Sequence, residues 1–138
     1  MSELRSGSHC VYCLQYHLIL VCKYRRKLLI NQNMKNSIWK FSVEYFHKHN
    51  IKFHAIGDDK DHVHYVIELT PVMNLSNEIR GLKSYTTYHM WQLYESYLSK
   101  QFWNERTFWS DSYYIASIGQ VSENVVLEYV KNQGMWGI

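Results

Sequence analysis

The sequence predicts one α+β domain: an antiparallel sheet with two helices on one face and a further helix at the C-terminus. Three observations carry that expectation. Stretches of strand-like alternation and stretches of helical spacing follow one another as strand, helix, strand, strand, helix, strand. Gly57-Asp58-Asp59-Lys60 reads as a tight turn joining the second and third strands into a hairpin. The 138 residues, 46% of them hydrophobic, are enough for one core and show no composition break that would divide them.

Residues 1–8 hold Gly and Ser with almost no apolar content, and the stretch to about residue 10 reads as a flexible N-terminal tail. Residues 11–24, VYCLQYHLILVCKY, are rich in β-branched and aromatic side chains and predict strand one. Alternation puts Tyr16, Leu18, Leu20 and Cys22 on one face and Gln15, His17, Ile19 and Val21 on the other. Both faces are largely apolar, so this is a central strand. Met34, Ile38, Phe41 and Tyr45 form the stripe of helix one, over about 32–49. Strand two spans 51–56, and after the turn comes Asp61-His62-Val63-His64-Tyr65-Val66-Ile67-Glu68 as strand three, closed by Pro71. Leu75, Ile79, Leu82, Leu93 and Tyr97 mark helix two to about residue 99, with the hydroxyl-rich run Gly81 to Thr87 as an expected kink or break. An aromatic loop over 101–111 leads to strand four at 113–118, ended by Gly119. A last helix, capped by Ser122 with Glu123 in its first turn, runs to about Gln133 on a stripe of Val125, Val126, Tyr129 and Val130. This order of elements is the split βαβ, or ferredoxin-like, arrangement.

Composition narrows the function classes. A net charge of +3 and a pI near 8.7 are mildly basic, so only clustered charge would point to nucleic acid. Three cysteines and no signal peptide fit free thiols in a reducing cytoplasm, and Cys10-x-x-Cys13 lacks the second half of a zinc site. No apolar run approaches the roughly 18 residues of a membrane helix, so a soluble, cytoplasmic protein is expected.

Chemistry concentrates in strand three. His62 and His64 are two apart and share a face, while Val63, Tyr65, Ile67 and Leu69 take the other. Two neutral imidazoles on one face can hold a divalent metal and leave positions for other ligands; an exposed polar strand face is the plainer reading. In the split βαβ topology both connecting helices cover the face of Val63, Tyr65 and Ile67. The histidines then turn to the other face, where only the terminal helix remains to cover them. That helix carries Tyr129 and Gln133 four residues apart, hence on one side, although an apolar stripe and a solvated amide would look the same. Lys23-Tyr24-Arg25-Arg26-Lys27 is the densest charge, suited to a phosphate backbone or to a solvated turn.

Four blocks in order resemble the single-tyrosine HUH transposases of insertion sequences that move as single-stranded DNA. They are Tyr16-His17 with Lys23 to Arg26, Asp61-His62-Val63-His64, Phe108-Trp109-Ser110-Asp111-Ser112-Tyr113-Tyr114, and Tyr129-Val130-Lys131-Asn132-Gln133. The resemblance implies a metal site for Mg²⁺ or Mn²⁺ at His62, His64 and Gln133, and it singles out Tyr129 as nucleophile. It implies cleavage and rejoining of single-stranded DNA through a 5′-phosphotyrosine, at hairpin ends of the element, by a homodimer with composite sites. Lys23, Arg25, Arg26 and Lys83 are the expected contacts to the DNA backbone, and exposed aromatics could stack on unpaired bases. Two other readings stay open. One is a noncatalytic ferredoxin-like nucleic-acid-binding module; the other is a host-retained relative acting on repeated hairpins.

Overall fold

The computed structural model describes residues 4–6 and 11–118. Leu14–Cys22 forms β1, Gln32–Lys48 α1, Lys52–Asp58 β2, His62–Leu69 β3, Leu75–Gln101 α2 and Trp109–Ser117 β4. The four strands make one antiparallel sheet in the order β2-β3-β1-β4. As the split βαβ pattern requires, β1 and β3 occupy the middle. The expected helix over 122–133 lies outside the described residues.

Alternation along the central strands decides which side faces the helices. Leu18, Leu20 and Cys22 of β1 and Val63, Tyr65 and Ile67 of β3 join a buried cluster with Met34, Ile38, Phe41 and Phe46 of α1 and Ile79, Leu82 and Met90 of α2. Tyr65 is fully buried, and its hydroxyl pairs with that of Ser42 at 2.9 Å. The phenol thus keeps a partner inside the core. Asn31 caps α1 by accepting from Met34 N at 2.9 Å, and Asn74 caps α2 by accepting from Asn77 N at 3.0 Å.

Helix α2 departs from expectation. It is continuous through Gly81 to Thr87, and its one non-helical residue is Tyr94 (φ −125°, ψ 34°). The buried stripe is Ile79, Leu82, Thr86 and Met90, whereas Leu93, assigned to the stripe by spacing, is 59% exposed. Past Met90 the buried side passes to Trp91 and Leu98, ahead of and beyond the change of winding at Tyr94. Gly81 has a packing role instead: a Cβ there would lie 2.1 Å from the Tyr45 hydroxyl oxygen. Its missing side chain lets α1 approach.

The hairpin is also tighter than expected. Gly57 and Asp58, read as turn, belong to β2 and pair with His64 and Val63. The reversal closes with Asp59 N–H donating to the His62 carbonyl at 2.9 Å. One register shift, between Phe53 and Ala55, leaves His54 as an extra residue. Strand β4 starts at Trp109 rather than 113, because Cys22 pairs with Trp109 across a second irregularity. Strand β1 is shorter at its start: Val11–Tyr12 pairs instead with Arg5–Ser6, inside the stretch expected as a tail. Arg5 also grips Glu68 through both carboxylate oxygens.

Candidate active site

The sheet face turned away from α1 and α2 carries the chemistry. Val21 stands opposite His62, Ile19 opposite His64, His17 opposite Val66 and Gln15 opposite Glu68. Ile19 and Val66 are fully buried and form an apolar floor between the polar groups. His62 is 5% exposed and His64 half-buried, so both rings are largely withdrawn from water.

The expected fork is present. The His62 and His64 rings lie 6.0 Å apart between centroids, tilted by 37°. With metal–nitrogen bonds of about 2.1 Å, two imidazoles on one ion stand at most roughly 6.5 Å apart, and this separation lies within that span. His64 Nδ1 is buried with no hydrogen-bond partner among the described residues. His62 Nδ1 lies 2.8 Å from Asp61 Oδ1. Burial lowers the His64 pKa, and His62 lowers it further, against an opposing pull from Asp58 and Asp59. The neutral imidazole is the form that ligates. Among the described residues no three His, Cys, Asp or Glu side chains come together to hold a metal. Two imidazoles fit a divalent ion as a partial donor set that needs a further ligand.

A third imidazole joins this face, one that the alternation had put there without a role. His17 meets His64 edge-on at 6.4 Å and Tyr114 at 6.2 Å. Burial and the neighbouring His64 push its pKa down to about 4, so it stays neutral under His64. Further along the face, Glu68 accepts from Arg5 and pairs with His54 Nε2 at 2.9 Å. Burial raises its pKa, but the Arg5 and His54 bonds outweigh that and hold the carboxyl at about 2. The extra residue in β2 is what aims His54 at Glu68.

Two neighbours of the fork were missed by sequence reasoning. Gly57, opposite His64, leaves the space that the imidazole occupies: a Cβ there would meet its Cε1 at 2.1 Å. Asp61 was quoted as part of the motif without a role. The signal for Gly57 was its place opposite the second histidine in the hairpin, hidden by assigning it to the turn.

The expected DNA contacts divide into three places. Lys23 Nζ lies 3.4 Å from Asp111 Oδ1, and Lys83 Nζ donates to the Asp111 carbonyl at 3.4 Å, which brings these two cations together. Burial lowers the Lys83 pKa, Asp111 raises it and Lys23 lowers it. Arg25 instead reaches Asp61 Oδ2 at 3.5 Å, beside the fork. Arg26 stacks over Tyr24 at 5.7 Å and Phe102 at 5.8 Å. The turn that delivers them holds Tyr24 and Arg25 at φ 58° and 54°, a left-handed pair without glycine that costs about 1–2 kcal/mol per residue. Main-chain bonds from Cys22 N to Asp61 O and from Lys23 N to Phe108 O, both 2.8 Å, anchor its start. The hydroxyl-rich run on α2 lines a groove of about 370 Å³ against β4, formed by Lys83, Ser84, Thr87, Tyr88, Trp91, Arg106, Trp109 and Asp111. Tyr88 is 59% exposed there, whereas Trp109 is buried and donates to Thr86 Oγ1 at 2.8 Å.

The family profile described as "Transposase IS200 like" matches residues 10–133. The chain belongs to the IS200-like transposase family. It is 24% identical over 134 residues to the ISDra2 transposase TnpA of Deinococcus radiodurans, covering 95% of this chain and 91% of that protein. It is 26% identical over 136 residues to the transposase of insertion sequence element IS200 from Salmonella typhimurium, covering 96% and 85%. A crystal structure of a candidate transposase from Deinococcus radiodurans shares the fold with a TM-score of 0.75 at 22% identity, over 94% of this chain and 97% of that one. The REP-associated tyrosine transposase bound to a REP hairpin aligns with a TM-score of 0.63 at 12% identity, over 100% and 76%. Tyr129 and Gln133 fall within the span of this IS200-like match but outside the described residues. No described helix is long and apolar enough to cross a membrane.

Proposed function

We propose that this IS200-like transposase binds hairpin ends of an insertion sequence and cleaves and rejoins single-stranded DNA through a 5′-phosphotyrosine intermediate. The observation that carries the reading is the His62–His64 pair on the face away from the helices, largely withdrawn from water, in a chain of this family. Hairpin DNA as the partner is supported by the REP hairpin held by the structurally similar transposase.

Tyr129 is the proposed nucleophile. A phenol with a pKa near ~10 is mostly protonated at neutral pH, so its oxygen needs help to attack phosphorus. His62, His64 and Gln133 are the proposed ligands of an Mg²⁺ or Mn²⁺, which when bound supplies polarisation of the phosphate oxygens and alignment of the scissile group. The tyrosine oxygen forms a bond to phosphorus and gives up its proton, while the bond from phosphorus to the 3′ oxygen breaks and that oxygen takes a proton. The products are a 5′-phosphotyrosine and a free 3′-hydroxyl. Attack by another 3′-hydroxyl reverses the step at a new junction, with no ATP. Lys23, Arg25, Arg26 and Lys83 hold the DNA backbone, and the active protein is a homodimer whose tyrosine helix can serve the partner's histidines.

Incubating the protein with single-stranded DNA carrying candidate hairpin ends and Mg²⁺ should yield a covalent adduct on a denaturing gel. Tyr129→Phe should abolish it; an undiminished adduct would remove Tyr129 from the mechanism. His64→Ala should stop cleavage while largely sparing hairpin binding, and cleavage at the normal rate would refute its ligand role. A protein that binds hairpins tightly and never forms an adduct would be the noncatalytic binder.

A further inference from the structure

Asp61 sits immediately before the first histidine of the fork, and both halves of its carboxylate are committed. Oδ1 lies 2.8 Å from His62 Nδ1, and Oδ2 faces the Arg25 guanidinium at 3.5 Å. Its main chain is fixed separately, by Cys22 N–H donating to the Asp61 carbonyl at 2.8 Å. The side chain is therefore held from two directions on a backbone already pinned to the end of β1.

An ionised carboxylate can only accept, so the proton between these groups belongs to the ring. In the neutral ring, the form that ligates, this puts N–H at Nδ1 and leaves the lone pair at Nε2, the nitrogen farther from the backbone. A neutral imidazole without such a partner distributes between two tautomers and several ring orientations, only some of which present a lone pair to an ion. His64 is oriented differently: its Nδ1 has no hydrogen-bond partner among the described residues, and its ring is seated against Gly57. The two imidazoles are thus set by different devices, a carboxylate for His62 and a space in the neighbouring strand for His64.

We infer that Asp61 is the positioning residue of the metal site, locking His62 in the Nδ1–H tautomer with Nε2 directed to a divalent cation. The inference rests on the proposed metal role of the histidine pair. Carboxylates placed behind ligating histidines raise ligand basicity, and their loss weakens metal binding by roughly 10–100-fold. Arg25 gives the carboxylate a second anchor, so the ring is steadied by the turn that also carries the proposed DNA contacts.

The test uses the full chain and Mn²⁺ alone, followed by calorimetric titration, with ¹⁵N imidazole shifts reporting the tautomer without any metal. Asp61→Ala should weaken Mn²⁺ binding about 10–100-fold and move the His62 signals away from the Nδ1–H pattern. Asp61→Asn, which keeps an acceptor oxygen but not the charge, should recover part of the affinity. The backbone bond from Cys22 survives both changes, but Asp61→Ala leaves the buried His62 Nδ1–H without its acceptor and should lower the melting temperature more than Asp61→Asn does. Should Asp61→Ala prove too unstable to measure, the Asn variant still reads the charge contribution. Unchanged Mn²⁺ affinity in the Asp61 variants, with His62→Ala abolishing binding, would overturn the positioning role and leave the metal site intact. If His62→Ala and His64→Ala bind Mn²⁺ as the parent does, the metal site fails and this inference fails with it.

Discussion

The Gly57 backbone lies directly against the imidazole of His64: a Cβ built on Gly57 would sit 2.1 Å from Cε1 and 2.6 Å from Nε2. The two residues are cross-strand partners on β2 and β3. Replacing a strand glycine by alanine ordinarily stabilises, by roughly 0.5–1 kcal/mol. Here the sign should reverse. Gly57→Ala must displace the ring or part the strands, with an expected loss of about 1–3 kcal/mol in urea unfolding. A Gly57→Ala protein as stable as its parent would show that the ring swings aside freely.

Gly81 and Tyr45 make the same kind of pair between the helices. A Cβ on Gly81 would lie 2.1 Å from the Tyr45 hydroxyl oxygen and 2.9 Å from Cζ. That hydroxyl donates to Glu78 Oε1 at 2.9 Å. Gly81→Ala should therefore destabilise despite alanine's advantage of about 1 kcal/mol in a helix. Adding Tyr45→Phe removes the closest atom and should recover part of the loss. Strictly additive effects in a double-mutant cycle would contradict the contact.

Glu68 predicts an acid-sensitive component of stability. Its carboxyl is held below its ordinary value of 4.5, at about 2, by Arg5 and His54 against the opposing effect of burial. A carboxyl whose folded pKa is depressed contributes fully above its unfolded pKa and loses that contribution as pH falls through the folded one. The loss should run from about pH 4.5 down to about 2. Glu68→Gln should be less stable at neutral pH and show a shallower fall across that window. Parallel stability curves for the two proteins would dismiss the ion-paired carboxylate as the cause.

The four basic residues make a prediction in salt. If Lys23, Arg25, Arg26 and Lys83 meet phosphates, alanine at each should reduce the slope of log affinity against log salt by about 0.7–0.9 per contact. Lys23 and Lys83 share Asp111, so their double variant should fall short of the sum. Filter binding to a hairpin oligonucleotide over a salt series reads both. Slopes that do not move would transfer the DNA contact to another surface.

How much of this was legible depended on what each feature leaves in the sequence. Faces were readable because strand parity is rigid: from Val63, Tyr65 and Ile67 going to the helices, His62 and His64 had to go the other way. The extra residue at His54 was not, since one inserted position carries no compositional mark while reversing the parity of β2 before and after it. Gly81 looked like a helix breaker because propensity considers only its own helix; its cause is Tyr45 on another. Arg25 reaches Asp61 through two successive left-handed residues, neither of them glycine, a conformation that no local preference would assign. Leu93 failed because the buried side of the helix passes from Met90 to Trp91 and Leu98, so spacing counted from Ile79 does not track one side to its end.

The bonds that tie Cys22 to Asp61 and Lys23 to Phe108 also set the order in which the molecule can be assembled. They close long loops, and loop closure must be met entropically before such contacts repay it. The hairpin of β2 and β3 is local and can form early, carrying both histidines with it. Its Asp61 is seated only once β1 returns alongside, and the basic turn is fastened only when Phe108 has arrived after both helices. The hairpin can thus present the two histidines before the main-chain frame around them closes, and the basic turn is fastened only with the arrival of the last strand.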